Sequence, residues 1–161
     1  MGKQSGMNVK PNLWWGALTG FYKPDVQDIS RLDGVSLFLY AARSVILVIS
    51  AQAATIAGLL AAGVGLFEWG EFIAVLVGFV VAHMISNLSN DYFGFTRGHD
   101  TPDSPRMRYT VHPFSSGMLD SRTLHTGLAL LAVIGLAITT YFILERGWMA
   151  AAFAASEASC P

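Results

Sequence analysis

The chain has 161 residues, of which 53% are hydrophobic and only 13% are charged. A soluble domain usually carries about 25% charged residues, so this composition indicates a membrane protein. The net charge of −1 argues against a nucleic-acid partner, because nucleic-acid binders need a basic surface. The single cysteine, Cys160, excludes an internal disulfide framework and a cysteine-rich metal site.

The first 35 residues form a polar segment in which four basic residues are interspersed with aromatic ones such as Trp14 and Trp15. Aromatic rings next to lysines suit the membrane–water interface, where the rings can be half wet. We expect disorder for residues 1–8 and an interfacial segment for residues 13–22. The sequence therefore predicts a cytoplasmic or interfacial N-terminal segment (1–35) that precedes a transmembrane region (36–161).

Three apolar stretches follow, at about 36–65, 66–87 and 124–144. Each has about the 20 residues that a helix needs to cross a bilayer. The predicted fold class is all-α: a multi-pass transmembrane helical bundle of about three spans, with a polar loop at 88–123. The tail, 145–161, begins like another apolar span and then stops, so we expect the chain to be an incomplete part of a longer protein.

The distribution of basic residues predicts how these spans are oriented. The turn between the first two spans, around 63–70, has no lysine or arginine, whereas the loop 88–123 has four arginines. Together with the basic residues of the N-terminal segment, these arginines favour a cytoplasmic N-terminus and a cytoplasmic loop. The expected location is the cell (inner or cytoplasmic) membrane.

Two polar side chains lie inside the apolar stretches. Arg43 is one to two turns into the first span, where a charge is costly and usually faces a wet cavity or a partner. It is also near the presumed cytoplasmic end, so its long stem could instead extend to the headgroups. These two interpretations have equal weight. His83 is expected to form a helix–helix hydrogen bond and not to be a ligand.

Polar residues are concentrated at the end of the second span. In a helix, Asn87, Asn90 and Asp91 share one face, because their spacing is i, i+3, i+4. Their amide and carboxylate oxygens are hard ligands that suit Mg²⁺ carrying a phosphorylated substrate. Asp100 follows just beyond a turn that Gly98 permits, and it could add a second carboxylate.

Arginines accompany these oxygen ligands in the loop. Arg97 and Arg106 could clamp an anion such as diphosphate, because guanidinium groups bind such oxygens in pairs. The alternative is that the polar residues only end a transmembrane helix and that the arginines only fix its orientation. Spacing alone does not decide between these interpretations.

The stretch 87–117 resembles the first aspartate-rich region of the UbiA superfamily of membrane prenyltransferases. The branch that prenylates dihydroxynaphthoate in menaquinone synthesis is the most similar. The matching residues are Asn87, Leu88, Asn90, Asp91, Tyr92, Arg97, Gly98, Asp100, Pro113, Ser116 and Gly117. Arg43 matches a position where the family often has an arginine. Two positions depart from the pattern: Gly94 replaces a second aspartate, and His112 replaces a common arginine.

The resemblance implies a fold of nine transmembrane helices, of which this chain covers about the first third. It implies transfer of a prenyl group from an allylic prenyl diphosphate to an aromatic acceptor within the lipid membrane. Asp91 and Asp100 would be the Mg²⁺ ligands, and Asn87 and Asn90 would support the site. The diphosphate would be contacted by three arginines, Arg97, Arg43 and Arg106.

A second, non-catalytic interpretation stays open. The family has another aspartate-rich region, and residues 118–161 contain no such motif. The chain would then be a three-span remnant that binds an isoprenoid or quinone, or that pairs with a partner supplying the missing helices.

Overall fold

The computed structural model describes residues 15, 34–43, 47–101, 112–115, 117, 119–150 and 152. Within these residues the regular structure is helical and contains no strand, which confirms the all-α class. Four main helices are α1 (Gly34–Ala41), α2 (Leu47–Gly63), α3 (Trp69–Thr96) and α4 (Ser121–Arg146).

The stretch 36–65, predicted as one span, is not a single continuous helix. Helix α1 ends after 8 residues, and Arg43 then has a φ of 55°, in the left-handed region that interrupts a right-handed helix. Helix α2 has 17 residues and rises about 26 Å, somewhat less than the ~30 Å of a bilayer's hydrocarbon core. The apolar composition of this stretch does not indicate a break, because the break is a property of the backbone conformation at Arg43.

The other two predicted spans are single helices, and both are longer than expected. Helices α3 and α4 have 28 and 26 residues and are long and apolar enough to cross a membrane. Only 17% and 6% of their most apolar 18-residue stretches are buried. A helix in the core of a soluble protein would be mostly buried, so these two helices present apolar surface outward.

The polar loop begins later than predicted, because α3 continues beyond residue 87 to Thr96. Residues 88–96 contain no proline that would stop the helix. Gly98, with a φ of +73°, then reverses the chain, and the His99 N–H donates to the Gly94 carbonyl at 2.9 Å. This is the usual way in which a glycine just past a helix end satisfies the last carbonyls. Residues 87–94 therefore lie on the last three turns of this helix.

Helix α3 lies in the middle of the packing, with contacts to α2 on one side and to α4 on the other. The buried core is concentrated near the end of α3, where α4 begins and where α1 and α2 meet. Its members are Ala41, Ala42, Leu47, Val81, Met84, Leu88, Leu119, Leu124 and Leu131. The Phe38 ring of α1 covers Gly127 of α4, so that a Cβ there would lie 3.0 Å from the ring Cζ. The helices are therefore tied together mainly at one end of the bundle.

Candidate functional site

A buried ion pair joins the break after α1 to the last turns of α3. The Arg43 Nη2 donates to the Asp91 Oδ1 at 2.6 Å. The Asp91 side chain is 1% exposed, whereas that of Arg43 is 31% exposed. A carboxylate this deeply buried needs a cationic partner, because desolvating an unpaired charge costs several kcal/mol (roughly). The pair therefore agrees with the first interpretation of Arg43, in which its charge faces a partner.

Asn87 makes a second connection to the same break. Its Nδ2 donates to the Ala42 carbonyl at 3.0 Å. That carbonyl belongs to the turn after α1, where the last carbonyls of a helix have no partner within the helix. Asn87 and Asp91 are four residues apart on α3, so both side chains project from one face toward residues 42–43. Two of the three residues that the sequence places on one helix face, Asn87 and Asp91, therefore meet at this break.

Asp100 lies beside Gly94 near this helix end and contacts His112. The Asp100 Oδ2 is 3.1 Å from the His112 Nε2, and the His112 side chain is 1% exposed. The Asp100 N–H also donates to the Gly94 carbonyl at 3.1 Å. The sequence pattern contained no signal for the contact with His112, which depends on the course of the loop.

An aromatic cluster surrounds this contact. The rings of Tyr92 and Phe95 on α3 lie 5.8 Å and 5.9 Å from the ring of Phe114. Phe95 also lies 5.7 Å from His112, and Tyr92 lies 5.4 Å from His125 of α4. Such aromatic pairs contribute about 0.5–1.5 kcal/mol each beyond the area they bury. The cluster fixes the segment before α4 against the end of α3.

Two further predicted site residues, Asn90 and Arg97, are not drawn into this arrangement. Asn90 is exposed on α3. Arg97 is also exposed, and its guanidinium carbon lies 5.0 Å from the centre of the Phe93 ring. Arg106 lies outside the described residues. The structure therefore brings together Arg43, Asn87 and Asp91, and separately Asp100 with His112.

The described residues, as arranged, do not fit a Mg²⁺ site. They contain no group of three or more histidine, cysteine, aspartate or glutamate side chains that could hold a metal ion. Asp91 is buried against Arg43, and a cation at its carboxylate would have to compete with that guanidinium. The metal roles of Asp91 and Asp100 stay predictions.

Closer to the middle of α3, a polar contact joins α2 and α3 within the apolar region. The Ser50 Oγ and the His83 Nδ1 are 2.7 Å apart. This confirms the expectation that His83 makes a hydrogen bond between helices. At the opposite end of the bundle, Arg146 of α4 donates from Nε to the Glu71 Oε1 of α3 at 2.9 Å.

Comparisons with protein-family models, with curated proteins and with solved structures give no match.

Proposed function

We propose that this chain is a membrane-embedded helical region, with α3 and α4 crossing the bilayer. Two observations support this proposal: both helices are long enough, and their apolar surface is mostly exposed. Large side chains such as Leu130, Val133 and Leu136 of α4 are each more than 60% exposed. In water, an apolar surface of this extent would be strongly unfavourable, whereas lipid or further helices would cover it. On this proposal the basic loop is cytoplasmic and the membrane is the cell membrane.

Within that membrane region, we propose that the chain is part of a prenyltransferase. It would transfer a prenyl group from an allylic prenyl diphosphate to an aromatic acceptor, as in quinone biosynthesis. One observation carries the proposal: residues distant in sequence that match the prenyltransferase motif meet at one end of apolar helices. Arg43 reaches Asp91 across 48 positions of sequence, and Asn87 holds the same turn.

This arrangement suits a substrate with an apolar tail and an anionic head. The apolar helices would accept the isoprenoid and keep water from the reacting carbon. Exposed cations at the helix end, Arg97 and the accessible part of Arg43, would neutralise the diphosphate as it leaves. The aromatic acceptor would enter from the same polar end.

A specific observation favours a second candidate, a non-catalytic membrane protein that binds an isoprenoid or quinone or that pairs with another subunit. The Asp91 carboxylate is buried with Arg43, and the described residues contain no three-member metal cluster. An ion pair of this kind also suits a purely structural role, in which it holds the helices together. The two candidates differ in whether a prenyl diphosphate is consumed.

A turnover assay separates them. The full chain in lipid nanodiscs is incubated with labelled prenyl diphosphate and dihydroxynaphthoate, with Mg²⁺ or with chelator. We expect a prenylated product, and we expect Arg97→Gln to lower its formation at least tenfold. The matched control is Arg122→Gln, because Arg122 is also an exposed arginine of the same polar end.

The outcomes are distinct. Absence of both product and prenyl diphosphate binding in the unmodified chain refutes the enzymatic proposal. Quinone binding without turnover favours the second candidate. An equal loss in the Arg97 and Arg122 variants contradicts a specific role for Arg97. Product that forms equally with chelator contradicts the Mg²⁺ prediction alone.

A further inference from the structure

The carboxylate of Asp100 occupies the space beside Gly94 on α3. A Cβ built on Gly94 would lie 3.0 Å from the Asp100 Cγ and would overlap its Oδ2. The backbone sets up this approach, because Gly98 reverses the chain and the Asp100 N–H donates to the Gly94 carbonyl. Any side chain at position 94 would therefore displace the Asp100 carboxylate.

The ring of His112 is oriented by its own loop. Its Nδ1 accepts the backbone N–H groups of Phe114 at 3.2 Å and Ser115 at 3.4 Å. A nitrogen that accepts hydrogen bonds carries no proton, so the proton of a neutral imidazole is on Nε2. That nitrogen is the one 3.1 Å from the Asp100 Oδ2, and it therefore donates to the carboxylate.

We propose that Gly94, Asp100 and His112 form one unit that delivers a carboxylate to α3 from the loop. Asp100 takes the place of a side chain at position 94, and His112 is the positioning residue that holds it there. Positions 91 and 94 are one turn apart on the helix, so the unit places a second carboxylate next to the turn that carries Asp91. The role of this carboxylate in prenyl transfer rests on the proposed function, whereas the existence of the unit does not.

The existence of the unit is tested first by the protonation of the histidine ring. The full chain is labelled with ring-¹⁵N histidine, and the His112 signals are assigned by their loss in His112→Gln. We expect the pattern of a neutral ring protonated at Nε2. Substituting Asp100→Ala should shift the Nε2 signal more than His99→Gln does, because His99 is exposed and on the same loop. A ring protonated at Nδ1 would overturn the proposal.

Stability gives an independent test of the same unit. Replacing a glycine by alanine in a helix interior raises the folded-to-unfolded ratio by up to about fivefold, through helix propensity alone. We expect Gly94→Ala to give that gain only when Asp100 is also alanine, and to lower the ratio when Asp100 is present. Gly78→Ala is the matched control, since its Cβ would meet only Ile138 at an ordinary 3.5 Å. An equal effect of Gly94→Ala in both backgrounds would overturn the proposal.

The contribution to function is tested by moving the carboxylate. In the double variant Gly94→Asp/Asp100→Ala, the helix itself supplies the carboxylate that the loop supplied before. We expect each single variant to lower prenyl transfer at least tenfold, and the double variant to recover most of the loss. His112→Gln keeps an N–H donor and should retain more activity than His112→Leu. Failure of the double variant to recover activity, while it remains folded, overturns the functional role.

These outcomes distinguish the two proposals. If the unmodified chain shows neither turnover nor prenyl diphosphate binding, the proposed function fails, and the ring protonation and the stability cycle still decide whether the unit exists. If turnover is present but His112 is protonated at Nδ1 and Gly94→Ala has the same effect on stability with and without Asp100, the unit fails and the proposed function stands.

Discussion

The Arg43–Asp91 ion pair makes an asymmetric prediction about stability. Asp91 is almost fully buried, whereas 31% of the Arg43 side chain is exposed. Removing the arginine therefore takes from a buried carboxylate the cation that Arg43 supplies, whereas removing the charge of the aspartate leaves a guanidinium that can turn toward water. Breaking a buried pair from one side costs about 3–5 kcal/mol, and the exposure of Arg43 places this pair at the lower end.

We therefore expect Arg43→Ala to lower the free energy of unfolding by about 3 kcal/mol. Asp91→Asn keeps an oxygen that can accept from Arg43, so it should cost only about 1 kcal/mol. The double variant Arg43→Ala/Asp91→Asn removes both charges of the pair and should cost about 2 kcal/mol, which is less than Arg43→Ala alone. Arg43 also has a positive φ, so Arg43→Gly should be about 1 kcal/mol more stable than Arg43→Ala.

The assay is an SDS titration of the detergent-solubilised chain, in which unfolding is monitored by far-ultraviolet circular dichroism. The control is Arg97→Ala, because Arg97 is exposed and lies over the Phe93 ring, a contact worth about 0.5–1 kcal/mol. Two results would refute the reasoning. One is that Arg43→Ala is no more destabilising than Arg97→Ala, and the other is that Asp91→Asn costs more than Arg43→Ala.

Two further predictions concern packing and pH. Gly127→Ala adds a methyl group against the Phe38 ring and should cost about 1–3 kcal/mol in the same unfolding assay, whereas combining it with Phe38→Leu should recover part of the loss; purely additive costs would contradict this. The Asp120 side chain caps α4 and accepts from Thr123, whose side-chain and backbone hydrogen bonds lower the pKa of Asp120 below its ordinary value. Because the pKa is lower in the folded state, the stabilisation is present above the ordinary value and is lost as the pH falls through the folded value. A stability difference between the unmodified chain and Asp120→Asn that does not shrink in acid would contradict this assignment.

The sequence by itself determined the helical class and the two long apolar helices. Hydrophobic runs of this length have few alternatives to a helix, since a membrane leaves no other way to satisfy the backbone. The sequence also placed Asn87 and Asp91 on one face of α3, because helical periodicity is a local property. It did not locate the end of α3 at Thr96, which depends on the chain reversal at Gly98.

Only the tertiary structure decided what the polar residues contact. The break at Arg43 is contacted by a carboxylate and an amide of α3, and these partners are more than 40 positions away in the chain. The two departures from the prenyltransferase pattern, Gly94 and His112, meet at Asp100 for the same reason. Contacts across a turn or between helices depend on chain geometry that composition and periodicity do not encode. Because Gly94 has no side chain, the carboxylate of Asp100 fits beside it in the folded chain.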